Sequence, residues 1–363
     1  MRGARSSRRR LAGALVIGLF MPLLFELLLG FSGVTRSYRR RMDMISDIML
    51  ADPLLFWRLL PDLDVVYNGV EVRTGPQGWR DWLRGEPPTG ALICLGDSVT
   101  FGWDVEGTAS YPTQLARLLA IRGDERAVIN AGVPGYSSLQ CRLAWERRLA
   151  ALSPSVVVLS CGINDRFTGG RTDQQRQAAQ STWQYQCIHR LRHLHTAVLL
   201  QQLMRRQPRV RAGGFVDDGS GSMHRVPADQ YRSNLEWFAT RSRHDGFALV
   251  LVNQKTTSDP PGYNEHHLAM QETAAAHGLP LVDMVALVDR ELGDLTGAVA
   301  AQSDPAPPRE TSAAEPAADA GRWNRTVLSL ETRTGYEMLF QDNYHPNPRG
   351  YRIMAEAVAR TIK

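Results

Sequence analysis

An α/β fold, with helices on both faces of a parallel sheet of about five strands, is predicted by two observations. Short runs rich in Val, Ile, Leu and Cys do not alternate with polar residues, which is the composition of strands covered on both faces. These runs alternate along the chain with helical segments, as a parallel sheet requires. The expected order is strand Ala91 to Leu95, helix Tyr111 to Ile121, strand Ala127 to Asn130, helix Leu139 to Leu152 and strand Val156 to Ser160. A long helical region from Asp173 to Arg206 follows, then strand Phe247 to Val252, helix Glu265 to His277, short strand Leu281 to Met284 and a last helix Arg349 to Ile362. The result is a three-layer α/β/α sandwich with flavodoxin-like winding. Such sheets bind ligands in the crevice at the carboxyl ends of their strands.

The 363 residues, 43% hydrophobic, suffice for one large domain with extensions. The expected organisation is a basic end and apolar helix over 1–35, a membrane-proximal extension over 36–89, and the main domain over 90–363. Residues 298–321, rich in Ala, Pro, Ser and acidic residues, read as a low-complexity insertion. A net charge of +5 suggests nucleic-acid binding only until it is located, because residues 1–41 hold nine Arg against a single acid, Glu26. The rest has 33 basic and 36 acidic residues and no basic stripe, so no nucleic-acid partner is expected.

Residues 11–31 form an apolar run of 21 residues, about the length that crosses a bilayer core of roughly 30 Å. A transmembrane anchor is expected there, with Glu26 near its far end, close enough to reach the headgroups. A cleaved signal peptide ending near Gly30 or Ser32 and a twin-arginine signal at Arg8-Arg9-Arg10 are the alternatives. Each places the body on the outer side of a bacterial cytoplasmic membrane, where a Cys141 to Cys187 disulfide is open. Leu54, Leu55, Phe56 and Trp57 form an apolar patch that either faces a lipid surface or packs against the body.

Four short words carry the chemistry: Gly96-Asp97-Ser98-Val99-Thr100-Phe101-Gly102, Asn130-Ala131-Gly132-Val133-Pro134-Gly135, Gly162-Ile163-Asn164-Asp165 and Asp342-Asn343-Tyr344-His345-Pro346-Asn347. The first three follow strand-like runs and the last opens a helix, so all four fall at the expected crevice. A serine hydroxyl needs a base to remove its proton as it attacks, and the imidazole that does so needs an orienting carboxylate. Ser98, His345 and Asp342 supply this set. Pro346 biases His345 toward extended backbone, while Asn347 and Pro348 suit a helix cap and first turn.

In these words and their order the chain resembles the SGNH (GDSL-like) hydrolases, over roughly residues 90–363. The resemblance implies the same sandwich and an oxyanion hole made of the Ser98 N–H, the Gly135 N–H and the Asn164 amide. Gly132 is the competing choice for the second donor. Asp97 and Asp165 read as braces of their loops. No cofactor is implied, and no metal is expected, since the chain has neither His-Glu-x-x-His nor Cys-x-x-Cys.

The expected function is a serine esterase acting through an acyl-Ser98 intermediate on a small-molecule, lipid or saccharide acyl ester. An O-acyltransferase acting on envelope or extracellular polysaccharide uses the same residues with a sugar hydroxyl in place of water. A lysophospholipase is favoured by the anchor and the Leu54 to Trp57 patch. A non-catalytic binding module would lack Ser98, Asn164 or His345, and none is missing.

Overall fold

The computed structural model describes residues 18, 20–36, 43–204, 223–257, 259, 263–302 and 336–362. The chain divides into two compact units, one of Met1–Arg58 with Gln174–Gly214 and one of Leu59–Asp173 with Phe215–Lys363. Residues 303–321 of the expected insertion lie outside the described residues. The remainder of that insertion, 298–302, continues a helix.

In the first unit residues 20–32 are helical and leave Phe20, Met21, Leu23, Leu27, Leu28 and Phe31 exposed. Residues 11–17 and 19, which belong to the start of the apolar run, are outside the described residues, as are residues 1–10. Among the described residues no helix is long and apolar enough to cross a membrane. Glu26 has a specific partner: its carboxylate accepts the backbone N–H groups of His195 and Thr196 and the Thr196 hydroxyl, at the start of helix His195–Leu203. A carboxylate there satisfies unpaired helix donors and meets the positive end of the helix dipole.

The expected helical region after Asp173 consists of three successive helices, Asp173–Gln180, Trp183–Arg192 and His195–Leu203. Ser181 and Thr182 explain the first break. Both hydroxyls donate to carbonyls of the preceding turn, and Thr182 also accepts from Tyr185 N–H as a cap. Leu55, Phe56 and Trp57 are buried and only Leu54 of that patch is exposed, which removes its support for a lipid-facing surface. No disulfide joins Cys141 to Cys187: all four cysteines are free.

The second unit holds the sheet. Its strands are β1 (Leu92–Gly96), β2 (Val128–Gly132), β3 (Val156–Ser160), β4 (Ala248–Val252) and β5 (Leu281–Val282), all parallel, in the order β2-β1-β3-β4-β5. This is the flavodoxin-like order expected. Every residue of β1 and β3 is buried, as strands covered on both faces must be. The helices are α1 (Ser98–Phe101), α2 (Tyr111–Ile121), α3 (Ser138–Ala144), α4 (Ala228–Asp245), α5 (Glu265–His277), α6 (Met284–Gln302) and α7 (Pro348–Thr361). Leu115 and Leu119 of α2, Val288 and Leu292 of α6 and Met354 and Val358 of α7 share one core with Leu92, Cys94, Val156, Val158, Val250 and Val252 of the sheet. On the opposite side α4 packs against both α3 and α5.

The strand ends are level. Gly96 pairs with Gly132 on one side and Ser160 on the other, so β1, β2 and β3 release their chains at one height. Glycine is required there by space: a Cβ on Gly96 would lie 2.1 Å from the Ser160 carbonyl oxygen, and one on Gly132 2.2 Å from the Phe101 nitrogen.

Ahead of the sheet, the hairpin Asp64–Tyr67 with Val70–Arg73 leads to Arg80, whose backbone bridges to Asn130 of the edge strand β2. The buried Arg80 guanidinium donates to the carbonyls of Phe101 (2.9 Å), Gly102 (2.5 Å) and Val105 (2.7 Å) and lies over the Phe101 ring. It thereby gathers the carbonyl groups that end α1. Replacing Gly132 by Ala is expected to cost more than the roughly 1–3 kcal/mol of ordinary overpacking, because the obstacle is backbone; a fall in Tm by calorimetry checks it.

Candidate active site

Ser98 opens α1, a single turn fixed at both ends. Asp97 caps it by accepting the Val99 N–H at 2.9 Å, and Gly102, at φ 83°, closes it with an N–H to the Ser98 carbonyl. The turn between Asp342 and α7 brings up the other two groups. Asp342 Oδ1 accepts the N–H groups of Tyr344 and His345, each at 2.7 Å, and its Oδ2 accepts from His345 Nδ1 at 2.7 Å. His345 Nε2 lies 2.8 Å from Ser98 Oγ. Hydroxyl, imidazole and carboxylate thus form one continuous relay, with Nδ1–H held toward Asp342 so that Nε2 is left to accept. Just beyond, Asn347 caps α7 by accepting from Arg349 and Gly350 N–H.

Burial pushes the Asp342 carboxyl up, but the His345 hydrogen bond and charge and two backbone N–H groups outweigh it, leaving Asp342 below the ordinary carboxylate range. Asp342 is therefore held as the carboxylate. Trp103 stacks on the His345 ring at 5.9 Å and 29°, and Tyr67 meets Trp103 edge-on at 5.6 Å. The imidazole is thus held by a face contact as well as by its nitrogens.

The glycine loop after β2 places its donors unequally. Gly132 N–H is taken by Asn130 Oδ1 at 3.0 Å, whereas the N–H groups of Ser98 and Gly135 have no partner among the described residues. Gly135 sits at φ 80°, a conformation that favours glycine. Its carbonyl accepts from Arg225 at 2.9 Å. Asn164 is buried beside them, but both its amide hydrogens are engaged, with Asp97 Oδ2 at 3.2 Å and the Tyr136 carbonyl at 3.1 Å. The structure therefore gathers Ser98, His345, Asp342, Gly135 and Asn164 at one sheet edge, with the Asn164 amide tied to the nucleophile loop.

Two buried carboxylates brace these loops. Asp97 also accepts Gln254 Nε2 at 2.9 Å, and Gln254 Oε1 meets the Ile163 N–H, linking three loops. Burial pushes Asp97 up to about 6 despite these bonds. Asp165 accepts the backbone N–H and hydroxyl of Ser138 at the start of α3, and burial raises it to about 7. A third carboxylate, Asp173, pairs with Arg225 at 2.8 Å and accepts the Ser137 hydroxyl at 2.7 Å; Arg225 also donates to Gln140.

Arg225, Asp173, Gln254 and Trp103 are parts of the site that the sequence does not announce. Gln254 had a signal, since it follows β4 as Asn164 follows β3 and so falls at the same carboxyl edge. Arg225 and Asp173 are 52 residues apart in a stretch without periodicity. Away from the triad, His224, Glu265 and His266 bring three metal-ligand atoms within 4.8 Å of one another.

The model of the GDSL-like lipase/acylhydrolase family matches residues 94–353, most of the chain. The chain belongs to this family. It is accordingly an SGNH-type hydrolase, and the family works on esters. No curated protein matches it. Among solved structures it is similar to LAE5, an α/β hydrolase from the metagenome of Lake Arreo, Spain, at 17% identity and a TM-score of 0.43, covering 76% of this chain and 95% of that one. The acetyl xylan esterase AlAXEase matches at 14% identity and 0.44, covering 75% and 100%. Axe2, an acetylxylan esterase from Geobacillus stearothermophilus, matches at 14% and 0.41, covering 76% and 96%.

Replacing Arg225 by Met leaves Asp173 buried without its cation and is expected to destabilise the fold by about 3–5 kcal/mol, read by urea unfolding. Asp165 and Asp97 set a pH dependence. Their folded values lie above the ordinary 3.8, so the folded state holds protons that the unfolded chain releases. The stability they contribute is complete below about pH 4 and is lost as pH rises through about 6 to 7. In an Asp165→Asn variant the fall in Tm between about pH 5 and about pH 8 is expected to flatten.

Proposed function

We propose that the protein is a serine esterase in which Ser98 is the nucleophile, His345 the general base and then acid, and Asp342 the group that orients and compensates the imidazole. The 2.8 Å and 2.7 Å contacts that join Ser98 Oγ, His345 and Asp342 carry this reading. As Ser98 Oγ bonds to the ester carbonyl carbon, His345 Nε2 takes the hydroxyl proton and the carbonyl electron pair moves onto oxygen. The unpartnered N–H groups of Ser98 and Gly135 receive that oxyanion, and Asn164 joins them by releasing one of its two long amide contacts. Collapse expels the alcohol, which leaves with the proton from His345. Water then attacks the acyl-Ser98 ester by the same steps, and the carboxylic acid departs.

An alcohol can replace water at the second attack, so transfer of the acyl group to a saccharide hydroxyl uses the same machinery. The aromatic faces of Trp103 and Tyr67 beside His345 favour a saccharide on that side of the site. We also assign residues 11–31 to a membrane anchor, on the strength of their apolar length and the exposed side chains from Phe20 to Phe31.

The full chain is expected to hydrolyse p-nitrophenyl acetate, and Ser98→Ala to lower kcat by at least about 10⁴-fold. Asn164→Ala is expected to lower kcat by about 10²–10³ with KM little changed, as for one oxyanion donor. Activity retained in Ser98→Ala sinks the assignment. Adding an oligosaccharide distinguishes transfer from hydrolysis by the appearance of an acylated sugar in mass spectra. Membrane fractionation with and without residues 1–35 tests the anchor.

A further inference from the structure

His224 closes the two-residue strand Met223–His224, which pairs with Thr168–Gly169, while Glu265 and His266 open α5. Their ligand atoms lie close together, and the His224 and His266 rings stack with centroids 5.8 Å apart. Glu265 Oε1 lies 3.4 Å from His224 Nδ1 and 3.7 Å from His266 Nδ1, and all three ligand atoms fall within 4.8 Å of one another.

His266 decides the meaning of the cluster. Its side chain is 1% exposed, and its Nε2 lies 3.0 Å from the Val226 carbonyl, which can only accept a hydrogen bond. That contact puts the ring proton on Nε2 and leaves Nδ1 with a lone pair, the arrangement that a backbone carbonyl imposes on metal-bound histidines. This Nδ1 is buried and has no hydrogen-bond partner among the described residues. It faces a carboxylate oxygen that also can only accept. Two acceptors aimed at each other repel unless a cation lies between them.

We propose that His224, Glu265 and His266 bind one divalent transition-metal ion, with zinc the best match. Two imidazole nitrogens and a carboxylate suit zinc, with water in the fourth position. Ligand atoms at about 2.0–2.1 Å from a tetrahedral ion stand about 3.3–3.4 Å apart. The Glu265–His224 separation already meets this, and the others close by small rotations of the two exposed side chains. Glu265 and His224 leave the open side to solvent, at 58% and 36% exposure, so an ion has a route in. Arg166, the cation that acts on His266, is itself paired with Asp259.

The ion does not touch the triad, and the proposal does not depend on the esterase assignment. Its action is to clip residues 224–226 to the start of α5. Val226 N–H is bonded to the Asp165 carbonyl, and Arg225, between Val226 and His224, holds the Gly135 carbonyl. Tyr231 packs on the His266 ring at 4.9 Å and donates its hydroxyl to the Cys161 carbonyl, just before Gly162-Ile163-Asn164. A metal there would stiffen both loops.

The test is calorimetric titration of ZnCl₂ into the full chain stripped with a chelator, beside His224→Ala and Glu265→Gln. Both altered residues are partly exposed, and circular dichroism checks that the variants fold. We expect one zinc per chain, a rise in Tm on binding, and affinity at least about tenfold weaker in each variant, with the metal-free circular dichroism spectrum of each variant unchanged. Cobalt(II) in place of zinc should give the visible absorption of a tetrahedral site, lost in His224→Ala. Absence of zinc binding, or binding unaltered in both variants, overturns the proposal.

Discussion

The level ending of three parallel strands is the constraint on which the site rests. Because Gly96, Gly132 and Ser160 share one register position, the residues that follow them are delivered side by side: Ser98 on its helical turn, Gly135 in its loop and Asn164 in the next. Neither Gly96 nor Gly132 tolerates a Cβ, since the neighbouring backbone already fills that space. The chemistry therefore inherits its precision from sheet hydrogen bonds and close packing rather than from flexible side chains. Only His345 and Asp342 arrive from far along the chain, and the capped start of α7 sets their place.

Behind this row lies a layer of buried carboxyl groups. Asp97, Asp165 and Asp173 each end a different link between loops, and only Asp173 is paired with a full cation. Buried carboxylates are costly, so their retention here points to geometry: each accepts N–H or O–H groups from the segment it must hold. The loops that carry Ser98, Gly135 and Asn164 are thereby held in place without any ligand. Such preorganisation lets backbone donors stabilise developing charge without reorganising during the reaction.

Much of the fold was legible in the sequence, because buried strands and turn words leave local marks. Helix Tyr111–Ile121, strand Val156–Ser160 and helix Glu265–His277 match the expected limits, while β1 and β2 each start one residue later than expected and run on through Gly96 and through Ala131 and Gly132. Helix α4 escaped notice although Tyr231, Leu235, Phe238, Ala239 and Ser242 line its buried face at helical spacing, because charged residues interrupt the run. At the site, the words around Ser98, Gly135, Asn164 and His345 were readable, being local. The Arg225 to Asp173 pair and the His224, Glu265, His266 cluster were not, because each depends on a contact between distant segments.

Arg80 has a bearing on where this protein can be cut. The matched family region begins at residue 94, yet the guanidinium that collects the carbonyls of Phe101, Gly102 and Val105 comes from upstream, as does the hairpin bearing Tyr67. The catalytic module is thus longer than its family signature. A fragment trimmed to that signature would keep Ser98, Asp342 and His345 and lose the clamp on the helix that carries Ser98, together with the cover over the edge of β2. The working boundary of the enzyme lies ahead of the hairpin, near residue 59, where the compact unit itself begins.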